Sequence, residues 1–135
     1  MPEASGRPTG IVMGFDYGSH RIGVAVGNTI TASAQPLCSV DALRRDTRFA
    51  AIAELLAQWQ PALLVVGLPL ARDGGEQLRT TQARRFANQL HGRFGVPVTM
   101  VDERYTSRAA EDAGADDVDA EAARLILEQY LQSNA

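Results

Sequence analysis

Residues 62–68, Ala-Leu-Leu-Val-Val-Gly-Leu, are apolar without a break and stand between Pro61 and Pro69. A strand of this composition has no face to give to water, so it belongs inside a sheet covered on both sides. Helical patterns flank it. Before it, Phe49, Ile52, Ala53, Leu56 and Trp59 recur at steps of three and four, in a helix that begins at Asp46 and ends at Pro61. After a loop at 69–75, a second helix is expected over 76–93, with Leu78, Phe86 and Leu90 inward and Arg79, Arg84 and Arg85 outward. Strand and helix in alternation make parallel crossovers, and hence an α/β layered fold.

The N-terminal part reads differently. Residues 11–16 form a strand with Val12, Gly14 and Asp16 on one face and Ile11, Met13 and Phe15 on the other. Gly14 is expected to leave open space beside the Asp16 carboxylate. Only Tyr17 to His20 separate this strand from the apolar run 21–27, so the two should pair as an antiparallel hairpin. Residues 31–40 look like a third strand, with Pro36 confining it to an edge or a bulge. Residues 96–102 form the last strand: Val96, Val98, Met100 and Asp102 share one face, and Thr99, Val101 and Glu103 the other. A short helical turn is expected after Thr106. A final helix follows over 118–132, in which Asp119, Ala122, Ala123, Ile126, Leu127 and Tyr130 make one stripe while Glu121 faces out. The order is β-β-β-α-β-α-β-α, a mixed five-stranded sheet with helices on both faces.

Composition narrows the chemistry. The chain has 135 residues, enough for one core, and residues 1–10 are expected to form a flexible tail ahead of a single domain at 11–135. The first ten residues lack the apolar stretch of a signal peptide, and no run approaches the roughly 20 apolar residues of a membrane helix. The single cysteine, Cys38, excludes an internal disulfide, which predicts a cytoplasmic protein without a membrane partner. All 13 basic residues are arginine, so no lysine is present to serve as nucleophile, base or phosphate ligand. Two distant histidines and one cysteine make no zinc site. Carboxylates remain. The net charge of −3 gives no global field for nucleic acid, so any such contact needs a local patch.

An unpaired carboxylate at the end of a buried strand is costly, and Asp16 therefore needs a partner. Parallel strands gather their sites at one edge of the sheet. The strands ending at Asp16 and at Asp102-Glu103 bring their acids to that edge, within reach of Asp119. Such carboxylates repel unless a divalent cation joins them, and oxygen ligands suit Mg²⁺ or Mn²⁺. A pair of such ions can activate water and steady the leaving oxygen in phosphodiester cleavage. Simpler roles exist for each acid alone. Asp16 could accept backbone donors from its own turn, Asp102 and Glu103 could pair with Arg104, and Asp119 could complement the helix dipole with Asp116 or Asp117 as cap. Arg21, Arg72 and Arg104 could hold phosphates. Gly67, Gly74 and Gly75 read as turn residues, and Tyr105 as a packing residue or a base-stacking one.

The motifs FDYGSHRIGVAVG, QPLCSV, VVGLPLARDGGEQ, FANQLHGRFGVPV, VDERYTS and VDAEAARLILEQYL occur in one order between Val12 and Leu131. In these the chain resembles the YqgF family of Holliday-junction-resolvase-like proteins, also described as pre-16S ribosomal RNA nucleases. The resemblance implies a ribonuclease H-like fold and a hydrolase acting with Mg²⁺ or Mn²⁺ on pre-ribosomal RNA or branched DNA, in ribosome biogenesis. It places Asp16, Asp102-Glu103 and Asp119 at the positions of the family's active-site carboxylates and leaves open which of the adjacent pair binds metal; Glu103 is favoured. The segment 108–118, RAAEDAGADDV, is shorter and more acidic than is common in the family, so a basic clamp there is missing. Affinity must then come from other arginines or from a dimer surface, and monomer and homodimer both stay open. Two other classes share parts of the pattern: a non-catalytic ribosome-assembly factor, and a nucleotide-binding phosphotransferase, which would need a second such domain.

Overall fold

The computed structural model describes residues 10–18, 20–103 and 117–133. The tail at 1–9, the helical turn expected after Thr106, Arg104, Tyr105 and most of the acidic segment lie outside the described residues. Five strands make one sheet: β1 (Ile11–Tyr17), β2 (Arg21–Asn28), β3 (Ser33–Asp41), β4 (Leu63–Leu68) and β5 (Val98–Asp102), in the spatial order β3-β2-β1-β4-β5. The pairs β1–β2 and β2–β3 are antiparallel, whereas β1–β4 and β4–β5 are parallel. The expected β-β-β-α-β-α-β-α order and mixed sheet are therefore present. Pro36 sits on the edge strand and beside an irregularity as well: Val24 pairs with Cys38 and Ala25 with Pro36, so Leu37 is the extra residue.

The helices are α1 (Arg45–Trp59), α2 (Leu78–Phe94) and α3 (Val118–Ser133). Strand alternation divides the core in two. Met13 and Phe15 face Phe49 and Ile52 of α1 and Phe86, Ala87 and Leu90 of α2. Val12 and Val65 face Ala123, Ile126, Leu127 and Leu131 of α3. Phe86 anchors the first layer, lying edge-on to Phe15 at 6.1 Å and stacked on Tyr17 at 4.7 Å.

Five sequence expectations change. Leu78 is 73% exposed, because the buried face of α2 runs through Thr80, Ala83, Phe86, Ala87 and Leu90; a threonine holds the position that hydrophobicity assigned to leucine. Ala53 is exposed at the margin of the α1 stripe. In α3 the buried stripe ends on Leu131, with Tyr130 only packed at its side, and Glu121 is largely covered by its pairing with Arg124. The space over Gly14 is filled: a Cβ there would lie 2.9 Å from the Leu127 Cβ, so the glycine serves helix packing.

Candidate active site

Three parallel strands, β1, β4 and β5, end at the same edge of the sheet, where Leu68 pairs with Asp102 and Tyr17 closes β1. Asp16 points to the α3 side and is 8% exposed. Glu103 follows the last residue of β5 and keeps its alternation, since its N–H still donates to the Leu68 carbonyl at 3.2 Å. Its side chain therefore lies on the α3 side too, 7% exposed, while Asp102 falls on the side of Met100, facing the other layer. Gly67 makes room for this carboxyl: a Cβ there would stand 2.9 Å from Glu103 Oε2 and 2.6 Å from Ile126 Cδ1. Gly67 was expected in a turn; it lies inside β4, and its lack of a side chain accommodates the acid.

The two carboxyls interact directly. Burial above all raises the Asp16 carboxyl above the usual carboxylate range; the hydrogen bond with Glu103 and the Arg79 charge oppose the rise, and the Asp119 charge adds to it. Burial, then the charge of Asp16 and the hydrogen bond to it, pushes Glu103 up to about 9. At neutral pH the Glu103 carboxyl, buried beside Asp16, accordingly keeps its proton in the metal-free protein. Asp16 Oδ1 is buried with no hydrogen-bond partner among the described residues.

Asp119 reaches the same rim from above. Gly23 stands opposite Asp16 in the β1–β2 ladder, and a Cβ on it would come within 1.8 Å of the Asp119 carbonyl oxygen. The first turn of α3 thus rests directly on the glycine beside Asp16. Asp117 caps that turn, accepting the Ala120 N–H at 3.0 Å and the Ser39 hydroxyl at 2.7 Å. The Asp119 side chain turns to Arg21, 3.4 Å away, and is 37% exposed. Among the described residues no group of three or more His, Cys, Asp or Glu side chains is gathered tightly enough to hold a metal ion. The expected cluster is therefore a buried pair, Asp16 and Glu103, with Asp119 beside it at the rim and Asp102 on the opposite face.

A family model described as "RuvX: Holliday junction resolvase" matches residues 10–133. The chain belongs to the RuvX family. A relative from Cupriavidus necator is 53% identical over 97% of this chain and 96% of its own length, and one from Burkholderia multivorans is 54% identical over 89% and 87%. Both are named "Putative pre-16S rRNA nuclease". Among solved structures, a fowlpox virus resolvase with Holliday junction DNA aligns at a TM-score of 0.61 and 11% identity, covering 92% of this chain and 98% of that one. Thermus thermophilus RuvC with its junction substrate aligns at 0.56 and 18%, covering 92% and 95%. At such identities the likeness concerns the fold, which is the ribonuclease H-like one expected from sequence.

In this RuvX-family chain a cleft of about 360 Å³ opens at the same edge, lined by Tyr17, Gly18, His20, Arg21, Arg79, Gln82 and Asp119. Of the three arginines expected to meet phosphate, Arg21 lines it. Arg72 is exposed in the connection from β4 to α2 and does not line it, and Arg104 lies outside the described residues. Arg79, read from sequence only as an outward residue of a helix, lines the cleft and acts on both buried carboxyls. Its helical periodicity marked it as solvent-facing, which is correct. What periodicity could not give is that this solvent is the site.

Proposed function

We propose that this protein is a metal-dependent nuclease that hydrolyses phosphodiester bonds of precursor 16S ribosomal RNA during ribosome assembly, and hence works in the cytoplasm. The observation that carries this reading is the buried Asp16–Glu103 pair, with Asp16 Oδ1 left without a donor among the described residues. An acid pair held this dry is unstable as two anions, and hard divalent cations are the ligands that oxygen donors of this kind accept. The residues therefore fit the ion that the family implies: Asp16 and Glu103 would hold it, with Asp119 as the further oxygen donor at the rim. A bound Mg²⁺ or Mn²⁺, in the two-ion manner expected from sequence, supplies activation of the attacking water and neutralisation of charge at the phosphate.

The chain's own residues do the rest. Glu103 must release its proton for the pair to become a full anionic ligand. Gly67 and Gly23 fix the distance between the carboxyls and the first turn of α3. Arg21 and the neutral donors of Tyr17 and Gln82 line the cleft through which a phosphate reaches the pair. The names of the relatives favour ribosomal RNA over junction DNA as the substrate.

The test compares purified wild type with Asp16→Asn on precursor 16S RNA and on four-way DNA junctions, with Mg²⁺ and with Mn²⁺. Cleavage of the RNA by wild type, and none by a variant of equal melting temperature, is expected. Full activity in Asp16→Asn rejects the site, and preference for the DNA junction rejects the substrate. Binding of RNA with no cleavage by wild type would identify an assembly factor instead.

A further inference from the structure

Several arginines of this acidic chain are committed to partners. Arg21 faces Asp119, Arg84 faces Glu76, and Arg124 lies between Glu121 and Glu128. Arg48 donates to the Tyr17 hydroxyl and the Ala42 carbonyl. Arg79 makes no ion pair and no hydrogen bond among the described residues. It also stands in the first turn of α2, which carries no acidic residue, so its charge lies at the positive end of the helix dipole. A cation in that place gains nothing from its own helix.

The base on which Arg79 stands is nevertheless fixed. Thr80, 0% exposed, accepts the Gln77 N–H at 3.1 Å and donates to the Pro69 carbonyl, while the Gln77 side chain accepts the Thr80 backbone N–H. This capping box ties the start of α2 to the end of β4. Arg79 thereby rises from a fixed backbone, and it lines the cleft together with Tyr17, Gly18, Arg21 and Asp119, close enough for its charge to act on both Asp16 and Glu103. The carboxyls would repel an incoming phosphate diester. A guanidinium beside them, with its fork uncommitted among the described residues, is suited to accept one.

We propose that Arg79 binds a non-bridging phosphate oxygen of the nucleic-acid strand at the cleft beside the Asp16–Glu103 pair. The proposal rests on reading that pair as the nuclease centre. It makes Arg79, more than Arg72, the arginine that seats the substrate.

The experiment measures binding of a labelled RNA hairpin across a salt series, with Ca²⁺ in place of Mg²⁺, and turnover of the same hairpin with Mn²⁺. Wild type, Arg79→Gln, Arg79→Lys and Arg84→Gln are compared, with melting temperatures as the control for folding. Arg79→Gln is expected to weaken binding about tenfold at low salt and to reduce the slope of log K against log salt by about one. Arg79→Lys should keep that slope and recover part of the turnover, while Arg84→Gln should match wild type. Wild-type affinity and slope in Arg79→Gln would overturn the role of Arg79 and leave the nuclease reading intact. Failure of wild type to bind the hairpin would overturn both.

Discussion

The Glu103 carboxyl fits against Gly67: a Cβ on the glycine would stand 2.9 Å from Oε2. The glycine is the last residue but one of the buried strand β4, where its missing side chain is otherwise a cost. Gly67→Ala should push both Glu103 and Ile126 from their places and destabilise the protein by about 1–3 kcal/mol. Chemical denaturation measures the loss. A variant as stable as wild type would show that the carboxyl does not need this space.

The pH dependence follows from Glu103. Its carboxyl is raised from 4.5 to about 9 in the metal-free fold, mainly by burial. The unfolded chain gives up this proton near 4.5 and the folded chain keeps it to about 9, so between those values the unfolded state binds fewer protons. This group's contribution to stability is then full below 4.5 and is lost as pH rises toward 9. Glu103→Gln should flatten that decline and raise the melting temperature of metal-free protein at pH 8 by about 5 °C. Thermal melts of both proteins from pH 5 to 9 with a chelator present check the sign.

Metal should reverse the same trend. A divalent ion needs the ionised carboxyls, so Mn²⁺ should stabilise wild type more at pH 8 than at pH 6. At a hundred times its dissociation constant the gain is about 2.7 kcal/mol. Asp16→Asn should lose the effect. Calorimetric melts with and without Mn²⁺ decide, and an equal gain in the variant would place the ion elsewhere.

Two apolar residues of α2 should behave oppositely. Phe86 is 1% exposed and contacts three aromatic rings, so Phe86→Ala should cost about 3–5 kcal/mol. Leu78 stands in water, and Leu78→Ala should change stability by less than about 0.5 kcal/mol. Urea titration of the two variants separates the exposed start of the helix from its buried stripe.

Local pattern settled much of this protein. The hairpin of 11–27, the strand at 62–68 and the helix of 118–133 follow from alternation, from an unbroken apolar run and from three-and-four spacing, all of which are properties of neighbouring residues. Hydrophobic type alone could not say that Leu78 faces water while Thr80 is buried, because that depends on a capping box tied to Pro69 across the loop. Alternation put Asp102 and Glu103 on opposite faces, but which face holds Asp16 required the parallel pairing of β1, β4 and β5. The same pairing turned Gly67 from a supposed turn residue into a seat for a carboxyl. It also brought Arg79 to the cleft, although Arg79 stands 63 positions after Asp16 in the chain. Side-chain spacing along a strand or helix is written in the sequence; distance between residues far apart in the chain is fixed only when the elements pack.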